Sequence, residues 1–305
     1  MGKYEKKRVK KSRKKTANGN KKLAAFMKKP VGKIAVIVLA VLLVVGGYLG
    51  IRSIWAANNF RKLSNKVQQD AAIAATDPAR QNRVTQPTEA TAAEGETKPS
   101  GAAETQPQET VPVVRTILPQ YENLYLENTE MFGWIRIDGT KIDYPVMRSF
   151  DDPEKYLHAN FYGEYSYPGI PFADTNCSHD SDNILIYGHN MLDGSMFRSL
   201  IKYESKTYWE KHPIIMFSDL YADYEYEIVA AFYDRVYLKT DTCFKFYQFI
   251  DAENEEDFDY AISQFREKAL YDTGVDVEYG DHLITLVTCA YHVENGRFVV
   301  VARRK

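Results

Sequence analysis

The chain has 305 residues, of which 45% are hydrophobic, so it is long enough to bury one substantial core and still carry extra segments. Its formal net charge of −2 conceals a strong asymmetry, because residues 1–33 hold 14 lysines and arginines and one acidic residue. That segment carries +13 and the remainder −15, so the two parts face different surroundings. Three cysteines exclude a disulfide-rich scaffold, and the odd number leaves at least one free thiol.

Residues 34–51 contain no charged side chain and would span about 27 Å as an α-helix, close to the thickness of a hydrocarbon core. We expect a single-pass transmembrane helix there, with residues 1–33 as a basic cytoplasmic tail and everything after Arg52 outside the cell. A cleaved signal peptide is the alternative, but this apolar run is longer than usual and residues 54–57 make a poor cleavage site. The tail then serves as an orientation signal that also contacts membrane lipid, and no nucleic-acid partner is expected.

Two segments follow the apolar run. Residues 52–75 are good helix formers with Phe60 and Leu63 on one side, which predicts a juxtamembrane helix that continues out of the bilayer or packs on the next domain. Residues 76–116 are rich in Thr, Glu, Pro and Ala and contain no aromatic residue. Because that composition cannot bury enough apolar surface to offset its ordering entropy, we predict a disordered tether.

Residues 117–305 have dense aromatic residues and short β-type runs separated by turn signals. The predicted strands are residues 133–137, 142–147, 183–187, 214–217, 224–233, 282–289 and 297–302. Helices are predicted for residues 195–203 and 254–269, the second with acids first and bases last, as the helix dipole favours. Many short strands and few helices predict a mainly β protein that closes into a barrel.

Cys289 and His189 are the candidate reactive residues. A cysteine nucleophile reacts as its thiolate and needs a cationic or helix-end environment. Cys289 ends a predicted strand, where a rigid element would hold it within reach of a substrate, although a buried cysteine is the ordinary alternative. His189 also follows a predicted strand, but a lone histidine is usually a surface or core residue. The histidines and cysteines form neither His-Glu-x-x-His nor Cys-x-x-Cys, so no metal site is expected.

Arg297 opens the last predicted strand. If it and Cys289 flank the connection between the two strands, they face one another with Cβ atoms about 5 Å apart, which suits an arginine that donates to an oxyanion. Asn295-Gly296 is also a two-residue hairpin signal, and a tight turn there would carry Arg297 away from the cysteine. These residues alone do not choose between the two registers.

Residues 285–289 (TLVTC) followed by Arg297 resemble the signature of the sortase family. Residues 133–146, 156–158, 183–197 and 270–281 are similar to further segments of class B sortases, in the same order along the chain. The resemblance covers roughly residues 117–305 and favours the longer connection, with Arg297 preferred over Arg303 and Arg304. The signature often has Ser where Val287 stands, which implies an altered substrate contact.

The resemblance implies a closed sortase-type β-barrel of about eight strands, with residues 117–305 as the catalytic domain of a membrane-anchored cysteine transpeptidase. Cys289 would attack the carbonyl after Thr in a C-terminal sorting motif, His189 would protonate the leaving amine, and Arg297 would hold the oxyanion. The residues implied to contact the substrate are Val287, Thr288, Asn190 and Tyr187.

The expected partners are surface proteins with a C-terminal sorting signal and an amine acceptor from peptidoglycan or its lipid-linked precursor. No metal or organic cofactor is expected. Three alternatives remain at this level: a pilin-polymerising sortase, a plain extracellular cysteine peptidase and a non-catalytic binding module. The sequence also leaves open whether Cys177 and Cys243 form a disulfide.

Overall fold

A long helix begins the part of the chain that the computed structural model describes, which is residues 30–76, 85–86 and 115–305. Helix α1 (Pro30–Thr76) includes both the apolar run and the predicted juxtamembrane helix. The chain divides into two compact units, the first ending at Asn58 and the second beginning at Asn59. Among the helices of the described residues, none combines the length and apolar character that a membrane crossing requires.

Residues 59–76 of α1 belong to the second unit and pack on it. Phe60 and Leu63 are buried, and the Phe60 ring meets the Tyr144 ring edge to face at a centroid distance of 5.1 Å. Ser64 Oγ donates a hydrogen bond to Asp143 Oδ2 at 2.7 Å. These contacts are those of a helix that packs on the following domain, one of the two alternatives expected for this segment.

The predicted basic tail and tether fall largely outside the described residues. Within the tether, strand β1 (Thr85–Gln86) pairs antiparallel with strand β2 (Arg115–Thr116) to form a two-stranded ribbon. The disorder predicted for the remaining residues between Thr76 and Arg115 stays a prediction.

Eight strands close into one barrel, which confirms the predicted closed β-barrel. They are β3 (Met131–Arg136), β4 (Asp143–Met147), β5 (Phe172–Ala173), β6 (Asn183–Tyr187), β7 (Ile214–Ser218), β8 (Asp223–Arg235), β9 (Leu283–Cys289) and β10 (Gly296–Arg304). The order around the barrel is β10-β8-β7-β3-β4-β5-β6-β9, and β9 pairs with β10 to close it. All seven predicted strands are present, whereas β5 was not predicted.

Strand β9 pairs parallel with β6 on one side and antiparallel with β10 on the other. Residues 283–288 are all buried, as expected for a strand covered on both faces. Because β6 and β9 are parallel, their carboxyl ends lie at the same end of the barrel, and β10 begins there. The candidate residues His189, Cys289 and Arg297 lie at that end of the barrel.

The helices lie at the periphery of the barrel. They are α2 (Pro119–Glu127), α3 (Lys206–Lys211) and α4 (Glu255–Lys268), with 3-10 helices at Lys155–Leu157, Phe197–Glu204 and Phe246–Gln248. The helix predicted for residues 195–203 is thus a 3-10 helix and begins after Met196, whose φ of 52° does not fit an α-helix. Helix α2 was not predicted.

Helix α4 confirms its prediction in position and amphipathic pattern. The Asn254 side chain caps it by accepting a hydrogen bond from the Asp257 backbone N at 3.1 Å. Its buried face joins an apolar cluster with Val287 of β9 and Val299 of β10. Since side chains alternate between faces along a strand, Cys289 projects from the same face of the sheet as Val287. The cluster therefore supports the strands from which the candidate site is built.

Phe265 lies at the centre of this cluster, stacked on Phe232 at a centroid distance of 6.0 Å and fully buried. We expect Phe265→Ala to lower the free energy of unfolding by about 3–5 kcal/mol, because it removes an aromatic side chain and leaves a cavity. Tyr260→Ala, on the exposed side of the same helix, is the matched control and should cost far less. Urea unfolding followed by circular dichroism measures both, and equal losses would contradict the assignment of this core.

Candidate active site

The β9–β10 pair places Arg297 directly opposite Cys289. This confirms the longer connection, and the tight turn at Asn295-Gly296 was the wrong alternative. Ala290 N donates to Gly296 O at 3.0 Å, and a Cβ at position 296 would lie 2.2 Å from Ala290 O. Asn295, at φ 54°, takes the left-handed conformation that ends the loop. Glycine is thus required for the close approach that sets this register.

The β6–β9 pair brings His189 to the same place. Tyr187 pairs with Val287, and the ladder continues where Gly188 N donates to Val287 O at 3.0 Å. Two residues after the Tyr187–Val287 pair come His189 on one segment and Cys289 on the other, and Asn190 Nδ2 donates to Cys289 O at 2.7 Å, which holds the two segments together. Three residues distant in sequence therefore lie on adjacent strand ends.

The His189 imidazole is half-buried, and its Nε2 lies 2.9 Å from the carbonyl oxygen of Leu157. Since a carbonyl only accepts, Nε2 carries a proton and Nδ1 of the neutral ring keeps the lone pair. The His158 ring lies beside it, with a centroid distance of 5.4 Å. Burial lowers the pKa of His189, and the neighbouring His158 lowers it further, against the opposing hydrogen bond to Leu157. A neutral imidazole at neutral pH can accept a proton from a thiol.

Arg297 lies with its guanidinium close to the β9–β10 connection. Its Nη1 donates to Asn295 O at 3.3 Å and to Gly296 O at 3.0 Å. A guanidinium has five N–H donors, and both of these contacts use Nη1. Its charge also opposes the rise in the pKa of Tyr187.

Two of the predicted substrate contacts have partners within the protein. Burial, the largest cause, and Asp174 raise the pKa of Tyr187, whose hydroxyl donates to Asp174 Oδ2 at 3.2 Å. Asn190 Nδ2 donates to the carbonyl oxygen of Cys289 at 2.7 Å, and its Oδ1 accepts from Arg198 at 2.9 Å. The Asn190 side chain thereby joins the segment after β6 to the end of β9.

The other two predicted substrate contacts, Val287 and Thr288, lie beneath the site. Val287 is 1% exposed within the apolar cluster, and Thr288 is 2% exposed. Thr288 Oγ1 donates to the Gly188 carbonyl oxygen at 2.7 Å, which again ties β9 to the end of β6. In this structure both residues support the site, and their contact with substrate stays a prediction.

Cys289 is the half-buried cysteine of the three and lies opposite Arg297. All three cysteines are free thiols, so Cys177 and Cys243 do not form a disulfide in this structure. Cys177 is buried, and burial raises the pKa of its thiol to about 12, which makes it unreactive. Cys243 is exposed, in a loop between β8 and α4.

Sequence reasoning gave no role to Leu157, His158 and Arg198, which contact the site through a backbone carbonyl, a ring and a guanidinium. The first two lie in the segment 156–158 that carried part of the family resemblance, so a signal was present without an assignment. Among the described residues, no group of three or more His, Cys, Asp or Glu side chains is placed to hold a metal ion.

A cavity of about 560 Å³ lies at the opposite end of the barrel. Its lining includes Arg148 after β4, His179 before β6 and Tyr221 between β7 and β8. His189 follows the other end of β6, so this cavity is separate from the Cys289 site.

The lowered pKa of His189 predicts a pH effect on stability. The unfolded chain binds the proton at a higher pH than the folded chain, so folding loses stability as the pH falls below the ordinary value of 6.5 toward the lower folded value. His189→Gln should remove this contribution, so that the variant loses less stability than the parent protein over that window. The measurement is urea unfolding at steps from about pH 8 to about pH 5.

A His189→Gln curve that runs parallel to that of the parent protein would contradict a half-buried, neutral His189 imidazole.

Several known proteins are similar to this chain. The model of the Sortase domain family matches residues 135–305. The chain is 32% identical to sortase B of Staphylococcus aureus over 194 residues, which cover 61% of this chain and 75% of that protein. It is 36% identical to sortase B of Listeria monocytogenes over 179 residues, 57% of this chain and 69% of that protein.

A solved structure of a sortase B complexed with triglycine is also similar. Its TM-score is 0.55 and its identity 31%, over 61% of this chain and 86% of that one. The family match, the two relatives and the shared barrel agree with the cysteine, histidine and arginine at one end of the sheet. This chain therefore belongs to the sortase family and is a class B sortase, a cysteine transpeptidase.

Proposed function

We propose that this sortase cleaves a C-terminal sorting motif of secreted proteins after Thr and transfers those proteins to an amine of the cell wall, with Cys289, His189 and Arg297 as the catalytic residues. The observation that supports the proposal is the double pairing of β9, in which Arg297 pairs with Cys289 and the ladder with β6 ends two residues before His189. A nucleophile, a base and an oxyanion donor are the three groups that acyl transfer requires.

In the first step the Cys289 thiol gives its proton to Nδ1 of His189, and the thiolate attacks the carbonyl carbon of the scissile amide. The carbonyl oxygen becomes an oxyanion, to which Arg297 donates. The carbon–nitrogen bond then breaks, the His189 imidazolium protonates the leaving amine, and a thioester remains on Cys289. The neutral His189 of the resting state suits this order of proton transfers.

In the second step an acceptor amine attacks the thioester. His189 takes the amine proton, the carbon–sulfur bond breaks, and a new amide bond forms as the thiol is restored. The similar sortase B structure complexed with triglycine supports a small peptide amine as acceptor. Water in place of the amine would make the protein a peptidase, and a substrate lysine would make it a pilin polymerase.

The test is to incubate the full chain with a peptide library and detect the acyl-enzyme by intact-protein mass spectrometry. We expect a thioester adduct on the parent protein and on Cys243→Ser, and none on Cys289→Ala. Arg297→Ala should lower turnover by about a hundredfold, and Arg297→Lys by less, because it keeps the charge but loses the planar fork. An adduct on Cys289→Ala would overturn the assignment of the nucleophile.

Acceptor specificity is read in the same assay by adding triglycine or a lysine-containing peptide. A ligated triglycine product supports transfer to a wall peptide, and a ligated lysine product supports pilin polymerisation. Hydrolysis alone in the presence of both would identify a cysteine peptidase and contradict the transfer step.

We also propose that residues 34–51 anchor the protein in the cell membrane, with the catalytic domain outside. The support is the absence of charge in that run, the basic segment before it and the exposure of its apolar side chains, such as Leu42 at 62%. An anchor keeps enzyme, substrate and lipid-linked acceptor on one surface and raises their effective concentration.

Leu42→Arg tests the anchor, because one arginine at the centre of a membrane helix costs about 2.5–3.5 kcal/mol of insertion free energy. We expect the variant to shift from the membrane fraction to the soluble fraction of cells. Leu126→Arg, at an exposed leucine of α2, is the control and should leave the distribution unchanged. The anchor is wrong if the parent protein is itself in the soluble fraction.

A further inference from the structure

The segment that follows His189 returns on itself before the 3-10 helix at Phe197–Glu204. We name residues 190–196 the return loop. Its two ends are held together, because Asn190 and Met196 form an antiparallel bridge and Phe197 N donates to His189 O at 2.9 Å. The position of His189 therefore depends on how this loop is fixed.

One end of the return loop is tied to the nucleophile. The Asn190 amide is buried, and both of its groups have partners whose roles are fixed: the Cys289 carbonyl accepts from Nδ2 at 2.7 Å, and the Arg198 guanidinium donates to Oδ1 at 2.9 Å. Because a carbonyl cannot donate and a guanidinium cannot accept, the amide has one orientation only. It joins the backbone after His189 to the backbone of Cys289.

The other end of the return loop is strained. Met196 has φ 52° and ψ −134°, a backbone conformation that residues other than glycine rarely adopt. A residue stays in such a conformation only when surrounding contacts hold it there. Here the Tyr144 hydroxyl accepts a hydrogen bond from Met196 N at 3.1 Å, and the Met196 side chain is fully buried.

Tyr144 is itself well placed to hold Met196. It lies on β4, is 5% exposed, and its ring packs edge to face on Phe60 of α1. A continuous series of contacts thus runs from β4 through Tyr144, Met196 and Asn190 to the carbonyl of Cys289.

We propose that Tyr144 and Asn190 are positioning residues of this active site, which act together through the strained Met196 to keep His189 aligned with Cys289. The effect of these two residues on turnover rests on the proposed function. Neither residue touches the reacting atoms. Tyr144 fixes the far end of the return loop, and Asn190 transmits that position to the end of β9.

The main variant is Tyr144→Phe, which keeps the ring and its packing but removes the hydroxyl that holds Met196. The matched control is Tyr121→Phe: Tyr121 is also 5% exposed, and its hydroxyl contacts Ser218 at the opposite end of the barrel. Asn190→Asp is a second variant of the proposed pair, because it keeps the shape of the side chain but removes the donor to Cys289. Each is made in the full chain with Cys243→Ser, so that Cys289 is the accessible thiol.

Two readouts separate positioning from general destabilisation. The first is the pH profile of Cys289 alkylation by iodoacetamide, which needs no peptide substrate. We expect Tyr144→Phe and Asn190→Asp to change this profile relative to the parent protein, because they displace His189, and Tyr121→Phe to leave it unchanged at a similar melting temperature. The second is kcat with a peptide that forms the acyl-enzyme, which we expect to fall about tenfold in both variants with little change in KM.

The double variant Tyr144→Phe/Asn190→Asp tests whether the two act as one unit. We expect it to lose no more kcat than the worse single variant, since each breaks the same series of contacts. The proposal would be overturned if the kcat losses of the two single variants multiplied in the double variant. It would also be overturned if the alkylation profile of Tyr144→Phe matched that of Tyr121→Phe. A failure of the proposed function would look different. The parent chain would then form no acyl-enzyme, while the alkylation profiles of the variants would still differ.

Discussion

The central constraint of this protein is the pairing of β9 with two different neighbours. Its parallel pairing with β6 and antiparallel pairing with β10 close the barrel, and they also determine which side chains meet at its end. The same backbone hydrogen bonds that stabilise the fold therefore set the relation of Cys289 to His189 and Arg297. The apolar cluster under α4 stabilises these strands from the face that carries the cysteine. The geometry of the candidate site and the closure of the barrel thus depend on the same strand pairing.

The strands were predictable because their residues are continuous apolar or alternating runs bounded by turn signals. Strand β5 has two residues, too few to show any period. Helix α2 begins at Pro119 and has no side-chain cap, so that proline was the signal at its start. The helix expected at residues 195–203 is a 3-10 helix that begins at Phe197, because Met196 before it has a positive φ and a backbone hydrogen bond to Tyr144.

The residues alone predicted the types of side chain in the candidate site, whereas its register was favoured only by the family resemblance. Two connections between β9 and β10 fitted the residues, and the deciding fact is the close approach of Gly296 to Ala290, which exists only in three dimensions. The carbonyl of Leu157 could not be predicted at all, because every residue has a carbonyl and nothing in a sequence marks the one that meets His189. Contacts made by backbone atoms are therefore the part of the site that could not be predicted from the residues.

The loop at residues 290–295 leaves the sheet after Cys289 and returns just before Arg297. Its residues from Tyr291 to Asn295 are exposed, whereas the two residues that it joins are fixed by ladder hydrogen bonds. Asn295 must keep its left-handed backbone, whereas residues 291–294 are free of that constraint. These four rim positions can accordingly diverge, in nature or by design, while the pairing of Cys289 with Arg297 is retained.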